Sequence, residues 1–229
     1  MTCGAALFFD LDGTLVDSDP QHLAAFQRVF APHGISVDRV AYDRDIHGVS
    51  NETIGTTFLS HLSVERRSAI LAEKEAIYRA DLGDVEPIAG AMGLLDFADR
   101  RGFRRAVVTN APRANAEAVL SALGLDARLP IVVVGSELER SKPDPLPYLE
   151  ALKRTGALAS RSVAFEDSPS GVRAAAAAGL AVVGLTTTLA RTALMEAGAF
   201  IVASDFTDPL IFELIEARAG VARDAEASA

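Results

Sequence analysis

Two aspartates lie two positions apart where an apolar run near the N-terminus ends. The run covers residues 5–9, and Asp10 and then Asp12 follow it. An apolar run of this length is typical of a buried strand, so both carboxylates lie at the mouth of a strand. Like charges this close repel each other, and a cation is needed to hold them together. The pair alone does not identify that cation, and the residues at the other strand ends are needed to do so.

Polar and charged residues also follow four later apolar runs. In chain order they are Thr109 with Asn110, Lys142, Glu166 with Asp167, and the threonines at positions 186–188. In an open parallel sheet, ligands bind at the carboxyl ends of the strands. Four acids, one lysine and several hydroxyls therefore converge on one edge of the predicted sheet. Mg²⁺ at such an edge keeps some of its waters and binds phosphate oxygens.

Short apolar runs alternate with helix-length segments over most of the chain. The predicted strands cover residues 5–9, 105–109, 131–135, 162–165, 181–185 and 200–203. The predicted helices among them cover residues 92–101, 113–123, 145–155, 168–178 and 189–197. Strands that are apolar throughout are typical of a parallel sheet covered on both faces. The alternation predicts an α/β fold with a doubly wound, Rossmann-like parallel sheet.

The interval between the first and second strands breaks this alternation. From about residue 16 to residue 85 the sequence shows helical patterns and no strand pattern. Such an interval is too long for an ordinary connection between a strand and a helix. We therefore predict a helical cap domain at residues 16–85, inserted into a sheet domain at residues 1–15 and 86–219. Residues 220–229 are predicted to be a disordered tail.

The composition argues against several classes of function. The chain has 229 residues and a net charge of −9, which disfavours binding to the phosphate backbone of nucleic acids. The single cysteine, Cys3, allows no intramolecular disulfide, and the four scattered histidines lack the HExxH spacing of a zinc site. No apolar segment reaches the roughly 18 residues that a membrane span requires. No secretory signal is visible, so we expect a cytoplasmic enzyme without nucleic-acid or membrane partners.

The four motifs at the strand ends, taken in order, resemble those of the haloacid dehalogenase-like hydrolase superfamily. They are Asp10-x-Asp12-Gly13-Thr14, Thr109, Lys142-Pro143 and Glu166-Asp167. The resemblance covers roughly residues 5–217, and the helical insert resembles the type 1 cap of that family. The stretches DGTLVDSDPQHLAAFQ, VVTNAPRANAE, KPDPLPYLEAL and FEDSPSG are similar to small-sugar-phosphate phosphatases and to β-phosphoglucomutases.

The resemblance implies two chemical roles at the first motif. Asp10 is expected to attack phosphorus as the nucleophile and to form an aspartyl-phosphate. Asp12 is expected to protonate the leaving oxygen and then to accept a proton from the attacking water. The expected ligands of Mg²⁺ are the Asp10 side chain, the Asp12 carbonyl and the Asp167 carboxylate, with Glu166 binding directly or through a water.

The remaining motifs are implied to bind the phosphoryl group. Thr109 and the backbone amides near Asn110 are expected to contact the phosphoryl oxygens. Lys142 is expected to neutralise charge on both the phosphoryl group and Asp10. Electrostatic contacts of this kind typically contribute about 10²- to 10³-fold in rate.

Substrate contacts are also implied in the cap domain. The loop that contacts substrate in similar proteins matches His47, Gly48, Val49, Ser50 and Asn51. His22 and Lys74 match residues of the mutase-like branch, although each could instead lie on a solvated helix face. Mutases tend to carry a basic residue directly after Gly-Val-Ser, so Asn51 favours a phosphatase.

Other functions are weaker fits to these residues. A dehalogenase lacks the second aspartate, so Asp12 argues against that reaction. A phosphonate-cleaving enzyme needs a cap lysine for a Schiff base, and Lys74 has no positional match to it. A calcium-binding EF-hand needs glycine at its sixth position, where this sequence has Leu15. A non-catalytic relative is expected to have lost Asp10, Asp12 or Lys142, and all three are present.

These patterns together predict one activity. We expect a monomeric, Mg²⁺-dependent phosphatase that acts on small phosphorylated metabolites, namely sugar or polyol phosphates. The alternative is a β-phosphoglucomutase-like isomerase that uses the same aspartyl-phosphate chemistry. A requirement for a bisphosphate activator would distinguish the isomerase from the phosphatase.

Replacing the expected nucleophile tests this assignment. Asp10→Ala should abolish phosphate release, because no other group would form the aspartyl-phosphate. The measurement is inorganic phosphate released per unit time, with circular dichroism as the control for folding. A folded variant that retains turnover would refute the role of Asp10.

Overall fold

The computed structural model describes residues 4–47, 49–83 and 85–220. The chain divides into two compact units: Met1–Asp17 with Glu86–Ala229, which we call the sheet unit, and Ser18–Val85, which we call the helical unit. Cys3 and residues 221–229 of the predicted tail lie outside the described residues. Gly220, the first residue of that tail, follows the last helix and adopts a left-handed conformation.

The described part of the sheet unit contains one parallel sheet of six strands. The strands are β1 (Ala6–Phe9), β2 (Arg104–Thr109), β3 (Val132–Val134), β4 (Val163–Glu166), β5 (Ala181–Leu185) and β6 (Ile201–Ala203). Their order across the sheet is β3-β2-β1-β4-β5-β6. This arrangement confirms the predicted α/β fold with a Rossmann-like sheet. Each predicted strand is present within one residue of its expected ends.

Helices connect these strands and also build the helical unit. Those of the helical unit are α1 (Asp19–Phe30), α2 (Arg39–Asp45), α3 (Asn51–Phe58) and α4 (Val64–Ala80). Those of the sheet unit are α5 (Ala91–Arg101), α6 (Arg113–Ala122), α7 (Leu146–Thr155), α8 (Pro169–Ala177), α9 (Arg191–Ala197) and α10 (Pro209–Ala219). The five predicted helices of the sheet unit are present within two residues of their expected ends.

Two helices, α2 and α10, were not predicted from the sequence. Helix α2 has seven residues and buries one side chain, Tyr42, so it leaves almost no apolar periodicity. Helix α10 begins with a cap at Asp208 and a proline at its first position, which is a legible start signal. Local capping chemistry could therefore have revealed α10 where periodicity did not.

The central strand β1 is buried on both faces. All four of its residues are buried, as expected for a parallel sheet that is covered on both sides. Phe8 packs edge-on against Tyr148 of α7, with ring centroids 6.4 Å apart. Phe9 points to the opposite face, because side chains alternate along a strand, and stacks on Phe165 at 5.0 Å. These two contacts fix β1 directly before Asp10.

The helical unit has a hydrophobic core of its own. Its members come from all four helices and include Phe26, Phe30, Tyr42, Ile54 and Leu71. Pairs of aromatic rings contribute to this core, for example Phe26 and Phe30 at 5.4 Å. In residues 4–47, 49–83 and 85–220, no helix has the length and apolar character needed to cross a membrane.

The start of β1 is held by a buried hydroxyl on the segment that precedes β4. Ser162 Oγ accepts a hydrogen bond from the Ala6 N–H at 3.1 Å and donates to the Leu158 carbonyl at 2.8 Å. Ser162 is fully buried. Removing this hydroxyl leaves one buried donor and one buried acceptor without that partner.

Ser162→Ala should therefore lower the free energy of unfolding by about 1–3 kcal/mol. The measurement is urea unfolding followed by circular dichroism. The matched control is Thr57→Ala, which removes an exposed hydroxyl that also donates to a backbone carbonyl and should change stability by less than about 0.5 kcal/mol. Equal effects of the two substitutions would contradict the role of Ser162.

Candidate active site

The carboxyl ends of three adjacent strands bring the predicted residues of the sheet unit together. Asp10 follows β1, Thr109 ends β2, and Glu166 ends β4. The backbone N–H of Asp10 donates to the Phe165 carbonyl at 3.0 Å, which continues the pairing of β1 with β4 past the end of β1. Strand pairing therefore sets the position of Asp10 beside Glu166.

Three carboxylates form a buried cluster at this edge. Asp10, Glu166 and Asp167 each contribute a carboxylate oxygen, and these oxygens all lie within 4.8 Å of one another. The three residues are 8%, 0% and 3% exposed, respectively. Buried carboxylates this close need positive charge to compensate their repulsion. Their oxygen donors and spacing fit a divalent cation of the hard type.

Lys142 lies between two of these carboxylates. Its Nζ is 2.6 Å from Asp10 Oδ1 and 2.6 Å from Glu166 Oε1. Burial alone would lower the pKa of Lys142, but the two carboxylates outweigh this effect and raise it above its ordinary value. Lys142 is therefore a permanent cation in the site.

Lys142 compensates only part of the negative charge of the three carboxylates. Burial raises the pKa of Asp10 well above its ordinary value, although Lys142 acts in the opposite direction. Burial, and then the charge of Glu166, raise the pKa of Asp167 to about 7. One lysine does not satisfy three buried carboxylates, which is the electrostatic condition that a bound divalent cation would relieve.

Hydroxyl groups and a glycine fix the Asp167 carboxylate. Thr188 Oγ1 donates to Asp167 Oδ2 at 2.7 Å, and Thr14 Oγ1 donates to Asp167 Oδ1 at 3.4 Å. Gly13 has a φ of +74°, and a Cβ at this position would collide with the Asp167 carboxylate. Glycine is thus required both for the backbone conformation and for the space. The expected convergence of the threonines that follow β5 on this edge is seen at Thr188.

The loop that carries Asp12 closes tightly after Asp10. Leu15 N–H donates to the Leu11 carbonyl at 2.8 Å, and Gly13 N–H donates to the Val16 carbonyl at 2.7 Å. Asp12 is half-buried, unlike the three clustered carboxylates. Asp12 is therefore less enclosed than Asp10, Glu166 and Asp167.

Asn110, which was predicted to bind substrate, contacts the loop of Lys142 through its side chain. Asn110 Nδ2 donates to the Lys142 carbonyl, and Asn110 Oδ1 accepts from the Lys142 N–H, both at 3.3 Å. The Thr109 hydroxyl accepts from the Ala111 N–H at 3.0 Å. The side chain of Asn110 thus positions the lysine loop.

Three of the predicted cap residues meet in the helical unit around a residue that was not predicted. Lys74 Nζ lies 2.9 Å from His22 Nδ1 and 3.0 Å from Glu75 Oε1. Asn51 Nδ2 donates to the same Glu75 oxygen at 2.7 Å. Lys74 is 3% exposed, so its interpretation as a solvated surface residue is wrong. His22 stacks on Tyr78, with centroids 3.8 Å apart.

The other predicted residues of the cap loop do not contact this polar cluster in the hydrogen bonds and ion pairs described for them. Ser50 caps α3 by accepting a hydrogen bond from the Thr53 N–H, which is a structural contact. His47 Nε2 lies 3.7 Å from Asp19 Oδ1. Val49 packs against the core of the helical unit. Gly48 lies outside the described residues.

Comparison with known families identifies this arrangement. The model of the haloacid dehalogenase-like hydrolases matches residues 5–179. The chain belongs to this family. The match includes all four motifs from Asp10 to Asp167, so the predicted resemblance is confirmed.

Individual relatives of this hydrolase are phosphatases. Validoxylamine A 7'-phosphate phosphatase of Streptomyces hygroscopicus subsp. limoneus is 34% identical over 192 residues, covering 82% of this chain and 89% of that protein. Phosphoglycolate phosphatase of Xanthomonas campestris pv. campestris is 32% identical over 176 residues, covering 76% of this chain and 80% of that protein. The hydrolase is therefore a phosphatase.

A solved structure has the same fold. The crystal structure of CbbY from Rhodobacter sphaeroides in complex with phosphate superimposes with a TM-score of 0.79 at 28% sequence identity. The match covers 90% of this hydrolase and 95% of the CbbY chain.

The raised pKa of Asp167 predicts how a divalent cation changes the stability of this hydrolase. Without a cation, its pKa of about 7 in the folded chain lies above the ordinary value of 3.8. Between these pH values the folded chain holds a proton that the unfolded chain has released, so the contribution of Asp167 to stability falls as the pH rises. Added Mg²⁺ should therefore raise Tm more at pH 8, where Asp167 has largely lost its proton, than at pH 5.

The measurement is Tm with Mg²⁺ and with EDTA at both pH values. Asp167→Asn, whose side chain is neutral at pH 5 and at pH 8, should reduce the difference between the Mg²⁺ effects at the two pH values. An equal Mg²⁺ effect at pH 5 and pH 8 would contradict this prediction.

Proposed function

We propose that the chain is a Mg²⁺-dependent phosphatase that hydrolyses small sugar or polyol phosphates through an aspartyl-phosphate on Asp10. The observation that carries the proposal is the buried contact of Lys142 with Asp10 at 2.6 Å, beside the Glu166 and Asp167 carboxylates. A nucleophilic carboxylate held against a fixed cation is suited to attack an anionic phosphoryl group.

In the first step, a carboxylate oxygen of Asp10 bonds to phosphorus while the bond from phosphorus to the substrate oxygen breaks. The carboxyl group of Asp12 donates its proton to this leaving oxygen, which departs as an alcohol. In the second step, a water oxygen attacks phosphorus, Asp12 takes the proton from that water, and the bond between Asp10 and phosphorus breaks. Inorganic phosphate is released, and both aspartates return to their starting state.

Several groups stabilise the charge that develops. Lys142 neutralises the phosphoryl oxygens and Asp10, and the backbone amides after Thr109 donate to the phosphoryl group. The Asp10 and Asp167 carboxylates and the Asp12 carbonyl would hold Mg²⁺, which supplies positive charge to the carboxylates and the phosphoryl oxygens when it is bound. Glu166, whose Oε1 already contacts Lys142, acts in this proposal mainly as the partner of that lysine.

The substrate class rests on a relative and on the helical unit. The Streptomyces relative is named as a phosphatase of validoxylamine A 7'-phosphate. His22, Asn51, Lys74 and Glu75 form a polar cluster of donors and acceptors that suits the hydroxyl groups of a sugar or polyol.

A β-phosphoglucomutase-like isomerase is the second candidate function. The contact between His22 and Lys74 favours it, because both residues match the mutase-like branch. Asn51 opposes it, because mutases tend to carry a basic residue at this position to bind a second phosphate group, and Asn51 instead donates to Glu75.

A panel of substrates tests the proposed function. The chain should release phosphate from several of fructose 1-phosphate, glucose 6-phosphate and glycerol 3-phosphate when Mg²⁺ is present, and from none in EDTA. Lys142→Met should lower kcat by about 10²- to 10³-fold because it removes the cation at Asp10. Lys153→Met, which removes an exposed lysine of α7, is the matched control and should leave kcat unchanged.

Three other outcomes are informative. Hydrolysis of 2-phosphoglycolate alone would contradict the sugar and polyol class but not the phosphatase. Conversion of glucose 1-phosphate that depends on added glucose 1,6-bisphosphate would support the isomerase. Phosphate release that is unaffected by EDTA would contradict the role of Mg²⁺.

A further inference from the structure

We propose that Tyr148 is a positioning residue for the reaction at Asp10, because its hydroxyl fixes the carboxylate that in turn fixes Lys142. The role of Lys142 in this inference rests on the proposed function. Tyr148 lies on α7, within the stretch KPDPLPYLEAL but outside the four motifs, and is fully buried. From its sequence position alone it is an ordinary aromatic core residue of a helix.

Tyr148 contacts both members of the ion pair next to the nucleophile. Its hydroxyl donates to Glu166 Oε1 at 2.5 Å, and Lys142 Nζ contacts this same oxygen at 2.6 Å. Lys142 Nζ also lies 5.4 Å from the centroid of the Tyr148 ring, within the range of a cation–π contact. The hydroxyl thus acts on the carboxylate, and the ring acts on the cation.

The Glu166 carboxylate is enclosed on its other side by the start of α8. Ser168 Oγ, the cap of that helix, donates to Glu166 Oε2 at 3.4 Å. A Cβ on residue 171 would collide with the Glu166 carboxylate. The carboxylate therefore occupies the space that the missing side chain of Gly171 leaves open. With Tyr148 on one oxygen and Ser168 near the other, Glu166 has a defined orientation.

Packing against β1 holds the Tyr148 ring near the nucleophile. Its ring packs edge-on against Phe8, at an interplanar angle of 82°, and Phe8 lies two positions before Asp10 on β1. Strand β1, which precedes Asp10, therefore also supports the ring whose hydroxyl contacts Glu166. Rigid support of this kind is what holds a catalytic group within the small tolerance that a reaction requires.

Removal of the hydroxyl has a predictable effect on Lys142. Glu166 Oε1 then has only Lys142 as a strong donor. A buried carboxylate oxygen that has lost a hydrogen bond should attract the Lys142 ammonium more closely. Since the lysine is shared, its contact with Asp10 weakens. The energy of the transition state depends on that contact, whereas binding of the sugar portion does not.

Tyr148→Phe is the test, because it removes the hydroxyl and keeps the ring against Phe8 and Lys142. On a substrate that the wild type hydrolyses, kcat should fall about tenfold and KM should change less than about twofold. Thr155→Val is the matched control on the same helix, since it removes a buried hydroxyl that contacts only backbone carbonyls. Both substitutions should lower Tm by about 2–4 °C, but Thr155→Val should leave kcat unchanged.

Equal kcat values for Tyr148→Phe and wild type would overturn the inference, as would a fall in kcat of the same size in Thr155→Val. Tyr148→Leu, which also removes the ring, should lower kcat further. A Leu variant as active as the Phe variant would contradict the contact between the ring and Lys142.

A second measurement does not need a substrate and separates this inference from the proposed function. The Tm values of Tyr148→Phe, Glu166→Gln and the double variant form a cycle, and the loss in the double variant should be smaller than the sum of the single losses. Additive losses would overturn the link between Tyr148 and Glu166. A wild-type chain that hydrolyses nothing on the panel, with non-additive losses, would instead contradict the proposed sugar and polyol phosphate substrates and leave the link between Tyr148 and Glu166 supported.

Discussion

The burial of three carboxylates at one edge of the sheet is the constraint on which the rest of the site depends. Desolvated negative charges of this number destabilise a fold unless cations and hydrogen-bond donors are fixed around them. Lys142 supplies one charge and divides it between Asp10 and Glu166. Hydroxyl groups from several separate segments then orient the carboxylate oxygens. The site is therefore pre-organised by the need to compensate its own charge.

The strand order explains why these groups meet. In the order β3-β2-β1-β4-β5-β6, the chain reverses its direction of progress between β1 and β4. Loops that follow neighbouring strands at such a reversal diverge and leave a crevice at the carboxyl ends. Asp10 and Glu166 terminate these two strands, and the pairing of Phe9 with Phe165 sets their relative height. Sheet topology thus provides the crevice, and strand register provides the distances.

Much of the sheet unit could be predicted from the sequence, because buried parallel strands are short apolar runs that end in polar residues. The partners of those polar residues could not be predicted in the same way. Tyr148 lies 18 residues from Glu166 along the chain, and its hydroxyl is recognisable as functional only when the two meet. The role of Glu75 could not be predicted for a similar reason, since its partner Asn51 lies 24 residues away along the chain. Helix α2 could not be predicted because its one buried side chain gives no helical periodicity of apolar residues.

The hydrogen bonds between Asn110 and the backbone of Lys142 have a consequence for evolution and engineering. Residue 110 follows the strand that ends in Thr109, so it is an obvious position to vary when a new substrate is wanted. Its side chain, however, matches the N–H and the carbonyl of the lysine at once, which few other side chains can do. Gly135 has no room for a Cβ beside Asn110, so the side chain at position 110 is also confined by residue 135. A substitution at residue 110 therefore removes two contacts that hold the loop of Lys142, and its cost falls on the cation at Asp10 before any change in specificity is gained.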